Sequence, residues 1–205
     1  AFVECLRAVL EMFADHFSYE SVFRYLRSGF SGIPQEDIDL MENYVLEFGI
    51  RGASAWKNTW MKRSKHMDDA RLLMVNQIRE GAFEEIWPVH EVFSNRESTV
   101  RQRTDGLIQW IYRMDIKAKL EDMSRAFDRK GELSMAREYG QVYDVVMDLL
   151  EKYEDILGDE KISMREYAQI LDAGLNEERL GLIPPGMDQV MVGDIERTRL
   201  DHVKV

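Results

Sequence analysis

Glu132-Leu-Ser-Met-Ala-Arg-Glu-Tyr-Gly-Gln-Val-Tyr-Asp-Val-Val-Met-Asp-Leu-Leu-Glu-Lys-Tyr-Glu-Asp-Ile-Leu157 is the longest periodic segment of a 205-residue chain. Tyr139, Val142, Val146, Leu149, Tyr153 and Ile156 recur at steps of three and four, which is one apolar helix face, and Gly158 closes it. The same period extends on both sides. Downstream, Ser163-Met-Arg-Glu166 has the form of a capping box, opening a helix with Tyr167, Ile170, Leu171 and Leu175 on one side. Pro184, Pro185 and Gly186 then end the helical pattern, because proline lacks an amide donor and glycine turns freely. Val190-Met-Val192 follows as a short strand-like run, and a second apolar run begins at Val203 after the polar turn Asp194–Arg199. A strand needs partners, and nothing earlier supplies one. The expectation is a helical region of a larger α/β protein, with this strand re-entering a core that lies elsewhere.

Upstream the pattern is helical almost throughout. Phe2, Leu6, Val9, Leu10 and Phe13 share a face over Phe2–Ala14. Ser18 is placed to cap a helix through Leu26, ended by Ser28-Gly29. Pro34 and the acids after it start a third helix, with Ile38, Met41, Val45 and Phe48 inward and Gly49 at its end. Gly52 to Met67 has no clean period and reads as loop with a short helix. Asp68-Asp69 open a helix to Arg79, with a break expected near Glu80 and a second helix through Phe93. Ser98 or Thr99 caps a further helix, expected to continue to Phe127 and to end at Lys130-Gly131.

The formal charge of −11 excludes a dedicated nucleic-acid-binding module of the basic kind. It is unevenly spread: residues 1–47 carry −6, 48–130 carry +4 and 131–180 carry −8. The single cysteine, Cys5, excludes disulfide frameworks and thiolate metal sites and suits a reducing, cytoplasmic setting. No apolar run approaches the ~20 residues of a membrane span.

Motifs for catalysis are missing. His16, His66, His90 and His202 are scattered without HExxH or Glu-x-x-His spacing, and neither a phosphate loop nor a nucleophile elbow occurs. No catalytic or metal-binding residue is expected. One stretch differs from its surroundings. Arg51, Lys57, Lys62, Arg63 and Lys65 follow one another without an acid, interleaved with Trp56 and Trp60. Such cations can neutralise phosphates, and exposed indoles can stack on bases. The alternative is that the tryptophans are core and the cations a solvated loop, since tryptophan is mostly buried.

Two groups of residues carry a family resemblance. The first is Ser21-Val-Phe-Arg-Tyr-Leu-Arg-Ser-Gly29 with Glu36-Asp-Ile-Asp-Leu-Met-Glu-Asn-Tyr-Val-Leu-Glu-Phe-Gly-Ile-Arg-Gly52 and Trp56. The second is Gly181-Leu-Ile-Pro-Pro185 with Asp188-Gln-Val-Met-Val-Gly-Asp-Ile-Glu-Arg-Thr-Arg199. Together they resemble the B subunit of the AddAB-type (RexAB-like) ATP-dependent helicase–nucleases, which resect DNA double-strand ends for recombinational repair. The likeness is specific at the two ends and diffuse through residues 60–165.

The resemblance implies a mainly α segment similar to the helical 2B insertion of superfamily 1 helicases. Residues 1–50 would leave a RecA-like core, residues 51–180 would form the insertion, and residues 181–205 would return to the core. It also implies DNA and the A subunit as partners. ATP with magnesium and a 4Fe–4S cluster would be held by other parts of the parent, leaving this segment non-catalytic. In active relatives the returning strand runs into a Thr-x-His-x-x-Lys-Gly-type motif. Here Asp194 stands near the threonine, Glu196 at the histidine, Arg199 at the lysine and Leu200 at the glycine, which puts helicase coupling at this point in doubt. Arg197 and Arg199 remain candidates for phosphate contact, or for salt bridges with Asp194, Glu196 or Asp201. The alternative from a different class is an acidic helical protein–protein interaction module with no nucleic-acid role.

Overall fold

A computed structural model of the chain describes residues 1–63, 65 and 67–182. The described residues form ten helices: α1 (Phe2–Ala14), α2 (Tyr19–Leu26), α3 (Gln35–Phe48), α4 (Ala53–Lys57), α5 (Asp69–Phe83), α6 (Ile86–Ser94), α7 (Val100–Arg113), α8 (Ile116–Arg129), α9 (Leu133–Leu157) and α10 (Met164–Leu182). Among the described residues there is no strand, so the architecture is mainly α. The strand expected at Val190–Val192, and the turn carrying Asp194, Glu196, Arg197 and Arg199, lie outside the described residues. No described helix is long and apolar enough to cross a membrane.

The bundle is organised around α1. Its Phe2, Cys5, Leu6, Ala8, Val9, Leu10, Met12 and Phe13 are all buried, and a helix apolar around so much of its girth has to be surrounded. α2, α6, α9 and α10 pack on it. Its narrow polar edge is tied down as well, with Arg7 donating to Asp172 and Asn176 of α10, at 2.6 Å in each case. α1 ends without glycine: His16 and Phe17 both take positive φ, 59° and 61°, at a cost of roughly 1–3 kcal/mol each. What offsets this is the burial of Phe17, whose ring stacks on Trp87 at 5.1 Å and meets His90 edge-on at 5.0 Å.

Caps read from the sequence are made. Ser18 accepts from the Ser21 amide, and Asp68 accepts from the Arg71 amide. Ser163 and Glu166 exchange both capping-box bonds, at 3.2 and 2.7 Å. Of the two candidates, Thr99 rather than Ser98 is the cap of α7, in a reciprocal pair with Gln102.

Three local expectations are corrected. α5 does not break near Glu80: it runs through Gly81 to Phe83, because Ala82 and Phe83 are still core residues. Pro88 is accommodated in the first turn of α6, where no amide donor is needed. The helix expected from Thr99 to Phe127 is two helices, divided at Asp115 with φ 51°, and the turn brings Ile116 and Leu120 inward. Ile156, placed on the apolar face of α9, is 76% exposed, whereas Val146 and Leu150 are fully buried. One apolar cluster runs through the whole described bundle, from Phe2 to Leu175.

Candidate nucleic-acid interface

The basic stretch forms an irregular connection between α3 and α5, interrupted by the short α4. α3 stops at Gly49, which takes φ 62° and lets Ile50 donate to the Val45 carbonyl at 3.1 Å. Gly52, at φ 85° and ψ 147°, then sends the chain into α4 in a conformation that a side chain would disfavour.

Both indoles point inward. Trp56 is 0% and Trp60 4% exposed. Trp56 packs among Phe23, Trp60 and Phe83 at centroid distances of 6.2, 5.4 and 5.1 Å. Trp60 stacks on Tyr44 at 4.8 Å with the rings 6° from parallel, and its indole N–H donates to the Ala55 carbonyl at 2.9 Å. Neither ring presents a free face to a base. In this structure the tryptophans are the floor on which the loop lies.

The loop backbone is held by two polar residues on the buried face of α5. Asn76 accepts from the Trp60 amide at 2.8 Å and donates to the Trp60 and Leu72 carbonyls, both at 3.0 Å. Arg79 donates to the carbonyls of Trp56 at 2.9 Å and Lys57 at 3.2 Å, pairs with Glu80 at 2.9 Å, and lies 5.8 Å from the Trp60 ring centroid. Burial pulls the Arg79 guanidinium below its ordinary value, opposed by Glu80, but an arginine remains charged. Tyr44 adds a hydroxyl donation to the Lys62 carbonyl at 2.9 Å. Asn76 and Arg79 were not singled out from the sequence. The signal that could have found them is a polar pair at i, i+3 within the apolar stripe Leu72, Val75, Ile78.

With the floor fixed, the cations face outward: Arg51, Lys57, Lys62, Arg63 and Lys65 are all exposed. Acids absent from the linear stretch approach two of them in space. Lys57 pairs with Glu91 at 3.3 Å and lies 5.8 Å from the Trp87 ring centroid, and Arg63 pairs with Asp69. Among the described residues Arg51, Lys62 and Lys65 make no ion pair. Lys65 borders a groove of about 450 Å³ against α3.

Other titratable groups serve packing. Cys5 is fully buried and its thiol is pushed up to about 11 by burial, against a lowering hydrogen bond from Ser28. An iron–sulfur cluster needs several thiolates, so the residues present do not fit one. His90 lies 5.5 Å from Phe13 and 5.8 Å from Trp87, with Ser94 Oγ at 2.9 Å.

No protein-family model matches the chain. Individual relatives do, along almost all of it. The chain is 36% identical, over 98% of its length, to the B subunit of the ATP-dependent helicase/deoxyribonuclease of Lachnoclostridium phytofermentans. It is 36% identical over 98% to the protein of that name from Acetivibrio thermocellus, and 33% identical over 97% to that of Caldanaerobacter subterraneus subsp. tengcongensis. It spans 18% of the length of each of these relatives. The helical bundle is thus homologous to one segment of a much longer type of protein. That type is the B subunit of ATP-dependent helicase/deoxyribonucleases, and the likeness read from the two ends of the sequence extends through the diffuse middle.

Proposed function

We propose that the chain serves as a non-catalytic DNA-handling segment of a helicase–nuclease subunit that processes double-strand breaks in the cytoplasm. The observation that carries this is the 36% identity along 98% of the chain to a relative named as the B subunit of a helicase/deoxyribonuclease. The outward cations of the α3–α5 connection support the DNA part. A loop whose backbone is already tethered presents charge without a further ordering cost on binding. Arg51, Lys57, Lys62, Arg63 and Lys65 are the proposed phosphate contacts, with Trp56 and Trp60 acting beneath them as support. Arg197 and Arg199 are proposed as additional phosphate contacts beyond the described bundle.

On the same reading, residues 1–50 leave a RecA-like core, residues 51–180 are the insertion, and residues 181–205 return to that core. ATP, magnesium and a 4Fe–4S cluster belong to other parts of such a parent. A partner subunit then has the acidic outer face available. Asp144, Asp148, Glu151 and Asp155 are exposed on α9 at steps of four, three and four, which is one helix face.

That same stripe favours a second reading, a protein-docking module with no nucleic-acid role, since such a surface repels DNA. A gel-shift titration of the whole chain against forked duplex DNA separates the two. The expected result is binding that weakens with salt and is lost in the Lys62→Glu/Arg63→Glu double variant. A chain that fails to shift the fork even at low salt overturns the DNA reading and leaves the docking module.

A further inference from the structure

The groove beside Lys65 has a lining that phosphate contact alone does not use. α3 supplies Leu40, Asn43 and Glu47, spaced to share one helix face, and Lys65, Met67 and Arg71 line it as well. Asn43, Glu47, Lys65 and Arg71 are exposed. Among the described residues none of their side chains is in an ion pair or a hydrogen bond. Leu40 and Met67 are half-buried and pack against the core, so they form a fixed apolar surface. The groove therefore joins two free cations, a free carboxylate, a free amide and an apolar wall.

These are the complements of one nucleotide: an anionic phosphate, a flat apolar base and a hydrogen-bonding edge. We infer that the groove is a subsite for one unpaired nucleotide of single-stranded DNA. Lys65 and Arg71 take the phosphate, Leu40 and Met67 take the face of the base, and Asn43 and Glu47 read its edge. This rests on the proposal that the basic loop meets DNA, and adds a base-reading role on named residues.

The carboxylate decides which base fits. It only accepts hydrogen bonds, and guanine offers its ring N1–H and its 2-amino group side by side on the Watson–Crick edge. Adenine and cytosine set their amino group beside an acceptor nitrogen, and thymine sets one N–H between two carbonyls. In each of those, an acceptor would face the carboxylate. Asn43 can meanwhile donate to guanine O6. An unpaired strand leaves this edge open, as a duplex does not.

The test is fluorescence anisotropy with the whole chain and labelled oligothymidylates of about 12 nucleotides, a length chosen to cover one short binding site. Each carries a central dG, dA, dC or dT. The expected result is a preference for the dG oligomer on the order of tenfold, erased in Glu47→Gln without loss of affinity for the dT oligomer. Lys65→Ala/Arg71→Ala should weaken binding to every oligomer and lower the log–log salt slope by about 1.4, from ~0.7 per phosphate contact on a single strand. Arg137→Ala, an exposed cation on α9, should change neither.

If the groove variants keep the wild-type preference and slope while Lys62→Glu/Arg63→Glu abolishes binding, the subsite is overturned and the DNA reading stands. If no oligomer binds, both fall. Free dGMP binding as tightly as the dG oligomer overturns the strand assignment and makes the groove a mononucleotide site. All four polar groove residues are exposed, so the variants should fold, and far-ultraviolet circular dichroism checks this.

Discussion

The α3–α5 connection and the α9–α10 turn are held by the same device and present opposite charge. In the first, buried Arg79 donates to the Trp56 and Lys57 carbonyls. In the second, buried Arg103 donates to the Ile162 carbonyl and, at 3.3 Å, to that of Asn95. Val100 and Arg101 amides add bonds to the carbonyls of Glu160 and Gly158, both at 2.9 Å. Above Arg79 the exposed side chains are mostly cations, and around the turn they include Asp159 and Glu160. A buried guanidinium can therefore pin an irregular segment whatever its surface carries. Charge at the surface is free to follow function, while the tether below answers only to unpaired carbonyls.

The two sites differ in how the buried charge is balanced. Arg79 has Glu80 at 2.9 Å, whereas Arg103 makes no ion pair among the described residues and instead lies 5.8 Å from the Phe93 ring centroid. Burial lowers both guanidiniums from their ordinary value.

The largest expected effect breaks the floor of the basic loop. Trp56→Ala should cost about 3–5 kcal/mol in denaturant unfolding, as for other large-to-small aromatic truncations. A loss below about 1 kcal/mol would mean that the loop does not depend on its floor. Next come the tethers themselves: Arg79→Ala and Arg103→Ala should each cost about 2–3 kcal/mol, because each strands buried carbonyls. Arg79→Lys should restore little, since an ammonium lacks the planar fork that spans two carbonyls. Full rescue by lysine at both positions would show that charge, and not the fork, is what matters.

A smaller effect lies at the acidic turn. Ser163→Ala removes one half of the capping box that leads out of it into α10, and should cost about 1 kcal/mol in thermal or denaturant unfolding. pH distinguishes the regions further. Burial first, and then the Lys57 ammonium, holds His90 below its ordinary pKa, with His16 adding to this and Glu91 opposing it. Above the ordinary imidazole range the ring is neutral in both states and contributes nothing. As pH falls below that range the unfolded chain takes up a proton that the folded chain resists, so stability falls until the lower folded value is passed. Denaturant midpoints measured across this window should decline with falling pH, and His90→Phe should flatten that decline. The smallest stability effect is expected for Lys62→Glu/Arg63→Glu, within about 0.5 kcal/mol, because both side chains are exposed. Loss of DNA binding with stability unchanged would separate surface charge from tether.

Much of the helical order was legible because it rests on local rules. Apolar spacing places α1, α3, α9 and α10, and the caps at Ser18, Asp68 and Ser163 depend on residues three apart. Sequence and structure part where a tertiary demand outweighs a local one. Gly81 reads as a stop, but Ala82 and Phe83 have core to fill. Asp115 gives no breaker signal, yet its left-handed turn lets Ile116 and Leu120 reach the core. In the candidate site the cations were visible as a run of residue types. Their neutralisers Glu91 and Asp69, and the tethers Asn76 and Arg79, were not, since these pairings join segments that only the fold brings together.

By itself, then, the sequence determined a mainly helical chain, the position of its basic stretch and its likeness to the B subunit of helicase/deoxyribonucleases. These depend on period, on side-chain charge and on residue identity along the chain. Only the tertiary structure decided which way the basic stretch faces. Trp56 and Trp60 could have been stacking platforms or floor, and composition cannot separate the two. The choice is made by what surrounds them: Phe23, Tyr44 and Phe83 offer apolar contact that water cannot, and Asn76 and Arg79 satisfy the backbone groups that this burial removes from solvent.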